Sequence, residues 1–404
     1  MKEYERSLDI IKLVERLDIT PTMYQNAVEK YNSIASYLEA NGLEADIYPQ
    51  GSFALGTVVK PSVKDADAAY DLDAICQIHG SRDNLTPKQV WDKVGSILSE
   101  SDLYGGKLET FDKCYTIHYA DVDGYGFSID VVPATAESTN TIARWRFTGP
   151  NQHLVDSAIV IPQHNDTSLT WACGNPKGYQ AWFKQANAPF ADVGWSSYRN
   201  QLFNKNRKVY ASVEQVPQNL NRSSVQRVIQ ILKYHRDVYF SHIKDGDALK
   251  PKSIIISTLS ASLAKALPAS SGILDVLNYV TKELSIYEKK GFLTPHEFQS
   301  QYGIKDLIVY NDGVWTLRNP ANPNDNLADS WNSEPACVKH FFVWAKQVRS
   351  DVIESMELPD PQFRTAIESA FGYNAVSKAW GPRQFAEPAK SIQSDTPAKP
   401  WRAR

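Results

Sequence analysis

Pro49-Gln-Gly-Ser-Phe-Ala-Leu-Gly-Thr57, a polar gap, and then Tyr70-Asp-Leu-Asp-Ala-Ile-Cys-Gln-Ile78 form the stretch on which the fold turns. Residues 70–78 are apolar between polar flanks, the pattern of a central strand. Alternate strand side chains share a face, so Asp71 and Asp73 point the same way and grip one cation between them. Two bare carboxylates side by side repel, and burying them uncompensated is costly. A hard divalent ion with oxygen ligands, Mg2+ or the related Mn2+, removes that cost. Opposite them, Gly51 lets the backbone come close to a ligand. Ser52 adds a hydroxyl to the amides of a turn, which make an anion nest. The stretch therefore describes a phosphate cradle facing a metal site.

Neither half is specific alone. Gly-Ser recurs at Gly80-Ser81 and Gly95-Ser96, and Asp-x-Asp at Asp65/Asp67, Asp121/Asp123 and Asp245/Asp247. A lone copy of either pattern reads as a solvated turn. Order, spacing and the apolar strand set this copy apart. Asp121-Val-Asp-Gly reads as a hairpin turn between two strands, and the other two pairs fall in polar loops. A two-metal site needs a third carboxylate from a neighbouring strand. In Gly126-Phe-Ser-Ile-Asp-Val-Val-Pro133, Phe127, Ile129 and Val131 take one face while Asp130 sits on the other with Ser128 and Val132. Strands normally avoid a lone Asp, which singles out Asp130, with a salt-bridged strand residue as the plainer alternative.

Composition bounds the rest. At 404 residues the chain is long enough to bury a sizeable core and is expected to fold as two lobes. An apolar content of 42% with 22% charged residues is that of an ordinary globular protein. No apolar run approaches the length of a membrane span and no signal peptide opens the chain, so a cytoplasmic protein is expected. Cys76, Cys114, Cys173 and Cys337 lack Cys-x-x-Cys spacing and read as reduced thiols. A net charge of −3 argues against avid binding of long nucleic acid.

The periodicities predict an α+β fold. Thr20-Pro21 caps a helix carrying Tyr24, Ala27, Val28, Tyr31, Ile34, Ala35 and Leu38 on one stripe, closed by Asn41-Gly42. Residues 45–49 read as the strand that delivers the Gly-Ser turn, and 83–101 as a polar start and a helix. Residues 107–120 and 125–132 read as strands, with Pro133 ending the second. The sheet so formed places all three aspartates at one end. The region 134–224 is the least regular, with strand-like 157–161 and a helix after Asn175-Pro. Its aromatics, among them Trp171, Tyr179, Trp182 and Trp195, read more simply as core than as base-stacking platforms. Residues 221–240 form a strong helix capped at Ser223-Ser224, on which His235 is packed or exposed rather than a base. Residues 268–345 alternate loops with helical runs, and 331–350 reads as one amphipathic helix. The resulting organisation is a core with its N-terminal helix over 1–215, a helical lobe over 216–381, and a disordered tail over 382–404.

At Gln50-Gly-Ser-Phe-Ala-Leu-Gly-Thr57, Tyr70-Asp-Leu-Asp73 and Ser128-Ile-Asp130 the chain resembles the cGAS/DncV-like nucleotidyltransferases of bacteria (CD-NTases), within the DNA polymerase β-like superfamily. Asn175-Pro-Lys-Gly, the segment 225–237 ending Leu-Lys-Tyr-His-Arg-Asp, Lys250-Pro-Lys-Ser-Ile-Ile, Asn319-Pro and Asn326-Leu-Ala narrow the resemblance to this branch. It runs from about residue 20 to about residue 350. The resemblance implies a polymerase β-like core of mixed sheet and helices, a helical C-terminal lobe, and an active site in the cleft between them. It implies two Mg2+ ions on Asp71, Asp73 and Asp130, and nucleotide contacts from Gln50, Gly51, Ser52, Lys233 and Ser253. A solvated helix lysine and a plain helix cap remain the alternatives for the last two, and Lys177 reads as a solvated helix-start residue. The implied activity joins two or three nucleoside triphosphates into a cyclic second messenger for antiphage (CBASS) defence, with CBASS regulatory proteins as further partners. A linear or RNA-tailing nucleotidyltransferase, a metal-dependent glycosyltransferase and a catalytically silent nucleotide-binding protein are the competing readings.

Overall fold

Thr20 accepts the Met23 amide and Pro21 opens the helix, so the chain enters α2 (Pro21–Ala40) where the sequence says it should. A computed structural model describes residues 2–62, 69–148, 152–166, 168–191, 222–304 and 306–382. The Asp65/Asp67 pair, Trp195, the boundary at 215/216 and the tail beyond 382 lie outside the described residues. The stripe of α2, including Tyr24, Ala27, Tyr31, Ile34 and Leu38, is buried against the sheet.

The sheet is mixed. β1 (Ala45–Pro49) runs antiparallel to β2 (Ala69–Ser81), and β2 runs parallel to β5 (Tyr125–Ala136). β4 (Tyr115–Val122) and β3 (Leu108–Thr110) extend it antiparallel, and α4 (Pro87–Ser99) covers it with Val90, Trp91, Val94 and Leu98. The β4–β5 turn has Asp123 at φ 56° and Gly124 at φ 79°. Two successive left-handed residues match the twist of a hairpin.

Three expectations need correction here. The strand expected over 107–120 is two strands, because the chain folds back at 111–114, where the Phe111 amide bonds Cys114 O. Pro133 does not end β5. Pairing with β4 stops at Val131 and pairing with β6 (Ile159–Asn165) starts at Thr135, so the proline falls where that edge has no partner to miss its N–H. The strand-like 157–161 is the start of β6, which turns back as β7 (Ser168–Gly174).

A second core gathers around α7 (Ser224–Ser241). Ser223 and Gln226 close a capping box at its start, and buried residues line every side of it. Against it pack α8 (Ser253–Ala264) and the helices Ile273–Tyr287, Pro335–Val348 and Asp360–Phe371. α1 (Lys2–Glu15) adds Ile10, Leu13 and Val14 to this core and, after α5 (Thr139–Thr148), α6 (Pro176–Asn187) adds Tyr179, Trp182 and Phe183. Here too the periodicity reading needs amendment. The lobe carries a three-stranded antiparallel sheet, β8 (Ile308–Asn311), β9 (Val314–Asn319) and β10 (Asn322–Asn326). The helix expected over 331–350 is split into Asp329–Ser333 and Pro335–Val348, since Pro335 cannot continue a helix but starts one well. None of the four cysteines is paired. No helix among the described residues is long and apolar enough to cross a membrane.

Candidate active site

The parallel register sets Asp73 opposite Asp130, with Asp71 two residues earlier on the same face of β2. One carboxylate oxygen from each of the three lies within 4.8 Å of the others. Among the described residues no other such cluster of metal-ligating side chains occurs. Asp71 is exposed, and Asp73 and Asp130 are half-buried. Burial, then the charges of Asp71 and Asp130, push the Asp73 carboxyl up to about 8, while a hydrogen bond from the Gln50 side chain and the Lys233 ammonium pull it back. Burial also raises Asp130, against the Thr116 hydroxyl that donates to its Oδ1 at 2.7 Å. Three converging carboxylates, with Asp73 and Asp130 both raised, are a donor set suited to a hard divalent cation.

The Gly-Ser cradle is stitched to this strand. The Gln50 amide bonds Asp73 O at 2.9 Å, and the expected turn is the first residue of a one-turn helix, α3 (Gly51–Leu55). Gly51 has φ +64°, and a Cβ there would stand 2.3 Å from Asp73 Oδ2. Both the conformation and the carboxylate require glycine.

Across the cleft, one face of α7 grips the chain leaving α3. Gln226 Nε2 donates to Leu55 O at 2.7 Å, Gln230 Nε2 to Val58 O at 2.8 Å, and Lys233 Nζ to Thr57 O at 3.1 Å. Lys233 is buried, and burial followed by the neighbouring Arg236 lowers its ammonium to about 8, against the pull of Asp237, Asp71 and Asp73. Ser253 stands at the first position of α8, where Lys252 is the cap residue, and its hydroxyl accepts from Arg236 Nη1 at 3.0 Å.

Two cavities meet at these residues. The smaller, about 300 Å3, lies among α3, β6, α6, α8 and the β9–β10 hairpin. The larger, about 930 Å3, contains Tyr70, Asp71 and Arg236. Ser52, Lys233 and Ser253 line both. The structure thus brings together the three aspartates, Gln50, Gly51, Ser52, Lys233 and Ser253, with Gln50 and Gly51 in the smaller cavity. Lys177 instead places its Nζ 4.2 Å from the Tyr48 ring centre. His235 is locked into the core, its Nδ1 accepting from Trp344 Nε1 at 3.2 Å and its Nε2 paired with Asp351 at 3.1 Å. Arg236, Asn319 and Asp325 went unread as site residues. Arg236 carried one signal, a charge on the apolar face of a strong helix.

A mixed sheet with an acidic triad on its parallel pair, a Gly-Ser cradle beside it and a helical lobe across the cleft is an arrangement suited to metal-assisted nucleotidyl transfer. No protein-family model matches the chain. A c-di-GMP synthase of Roseivirga ehrenbergii is 25% identical over 351 residues, covering 85% of this chain and 77% of that protein. The cyclic dinucleotide synthase CdnG of Bradyrhizobium diazoefficiens is 24% identical over 242 residues, 57% of this chain and 53% of that one. A solved structure of the B. diazoefficiens CD-NTase CdnG in complex with GTP matches with a TM-score of 0.63 at 18% identity, covering 93% of this chain and 98% of that one. The chain is thus similar in sequence to cyclic dinucleotide synthases and in fold to a CD-NTase.

Proposed function

We propose that the chain condenses nucleoside triphosphates, without a primer, into a cyclic di- or trinucleotide that serves as a messenger in antiphage (CBASS) defence in the cytoplasm. The observation that carries this reading is the pair of cavities joined at Ser52, Lys233 and Ser253 beside the three aspartates. Two adjoining pockets with one phosphate-gripping wall suit a donor triphosphate in the smaller and an acceptor in the larger. The relatives that make cyclic dinucleotides support the same reading.

Asp71, Asp73 and Asp130 are the catalytic carboxylates. Together they would hold two Mg2+ ions, whose chemistry there would be charge neutralisation on the triphosphate and activation of the acceptor hydroxyl. Gln50 and the Gly51 amide, with the Ser52 hydroxyl, hold the phosphates close to Asp73, and Lys233 brings a cation to them from α7. Ser253, oriented by Arg236, adds a hydroxyl donor. Asp130, steadied by Thr116, takes the acceptor proton. Positioning and charge carry most of the rate in this chemistry.

Wild type and the Asp71→Asn/Asp73→Asn double variant, incubated with all four labelled triphosphates and Mg2+, test the proposal. Mass spectrometry should find a cyclic product from wild type and none from the variant. Equal product from both, or only primer-extended linear chains from wild type, would overturn it.

A further inference from the structure

We infer that Asp325 reads guanine at the far end of the smaller cavity and makes GTP the preferred donor, an inference that rests on reading that cavity as a nucleotide pocket. Ser52, Lys233 and Ser253, shared with the larger cavity, mark its phosphate end. Asn319 and Asp325 line the smaller of the two cavities and not the larger. Leu55, Ile161, Pro176 and Ile254 supply apolar walls to the same cavity, the setting in which a planar base is held. Gly174 also lines it, packed closely enough that a Cβ there would meet Ile161 Cδ1 at 3.3 Å.

The polar end is built in one orientation. Asn319 is buried, and its Oδ1 accepts the Ala321 amide at 2.9 Å. Its Nδ2 is therefore turned to Asp325 Oδ2, at 2.8 Å. Among the described residues Asp325 has no ion pair within 4 Å, and its Oδ1 accepts no hydrogen bond. A carboxylate in this state only accepts. Guanine offers it two adjacent donors, N1–H and the N2 amine. Adenine offers one amine beside an acceptor nitrogen that faces the same negative charge, and uracil one N–H between two carbonyls. A site that hydrogen-bonds a substrate N–H discriminates strongly against analogues lacking it, because its own polar group is then left unpaired.

The test compares GTP, ITP and ATP on wild type and Asp325→Asn, with Mg2+, by calorimetric binding of non-reacting analogues and by pyrophosphate release. ITP keeps N1–H and lacks the N2 amine. Wild type should bind the nucleotides in the order GTP, ITP, ATP, with about 30-fold between first and last. In Asp325→Asn the GTP-to-ATP ratio should collapse toward one. A wild type that binds ATP as well as GTP, or ITP as well as GTP, overturns the inference whether or not the variant folds. So does a folded variant that keeps the GTP preference. Guanine-selective binding with no pyrophosphate release leaves the inference standing and removes the catalytic reading. Pyrophosphate release with an adenine preference does the reverse.

Discussion

Replacing Asp73 by Asn should stabilise the metal-free protein while abolishing its activity. Asp73 is lifted from an ordinary 3.8 to about 8 by burial and by the Asp71 and Asp130 charges. An acid whose folded pKa lies above its unfolded one is most stable below the unfolded value and loses stability as pH climbs toward the folded value. The metal-free wild type therefore weakens from about pH 4 to about pH 8 by this group alone, whereas the Asn variant does not. Each pH unit is worth about 1.4 kcal/mol, a ceiling of about 4 kcal/mol at pH 7. Solvent reaching the half-buried carboxylate screens part of this, leaving roughly 2 kcal/mol. With an unfolding entropy of about 2.1 cal/mol/K per residue, that is a rise in Tm of about 2 °C for a chain of 404 residues. Thermal melts of both proteins in a chelator, from pH 5 to pH 8, should show a gap that widens with pH. Adding Mg2+ should raise the wild type and reverse the order. A variant that melts lower than wild type without metal, or a gap that shrinks with pH, refutes this account of the cluster.

Other perturbations reach neighbouring parts of the site. Gly51→Ala puts a methyl 2.3 Å from Asp73 Oδ2 in a left-handed conformation; pyrophosphate release should fall by about 100-fold, and equal rates would remove Gly51 from the site. Lys233→Met should raise KM for the triphosphate about 10-fold or more. Wild-type affinity should decline as pH rises past about 8, where the Lys233 ammonium is lost, and the variant should lack that limb. Thr116→Val removes the hydrogen bond that favours ionised Asp130, so the acid limb of the pH–rate profile should move to higher pH.

What was legible in the sequence came from local periods and caps. Alternation alone put Asp71 and Asp73 on one face and Asp130 opposite the apolar face of its strand, because a strand's period of two leaves little freedom once the core side is known. Thr20-Pro21 and Ser223 announced their helices by the same local chemistry. The features that escaped depend on closure between distant segments. Pro133 breaks a strand by any local rule, yet here it falls between two successive partners of β5. Ile10, Leu13 and Val14 join the core around α7 although their helix comes first in the chain, which no local period announces. Asn319 and Asp325 sit in a segment that reads as a rigid turn, and only the folding of the β9–β10 hairpin onto the cleft makes them wall residues.

The three carbonyls taken by Gln226, Gln230 and Lys233 have a consequence for how the molecule moves. They tie the helix at the centre of one lobe to the backbone that follows the Gly-Ser helix of the other. Loosening that joint should register as poorer substrate capture even though neither glutamine lines either cavity, so affinity defects would map to this seam as well as to the pocket.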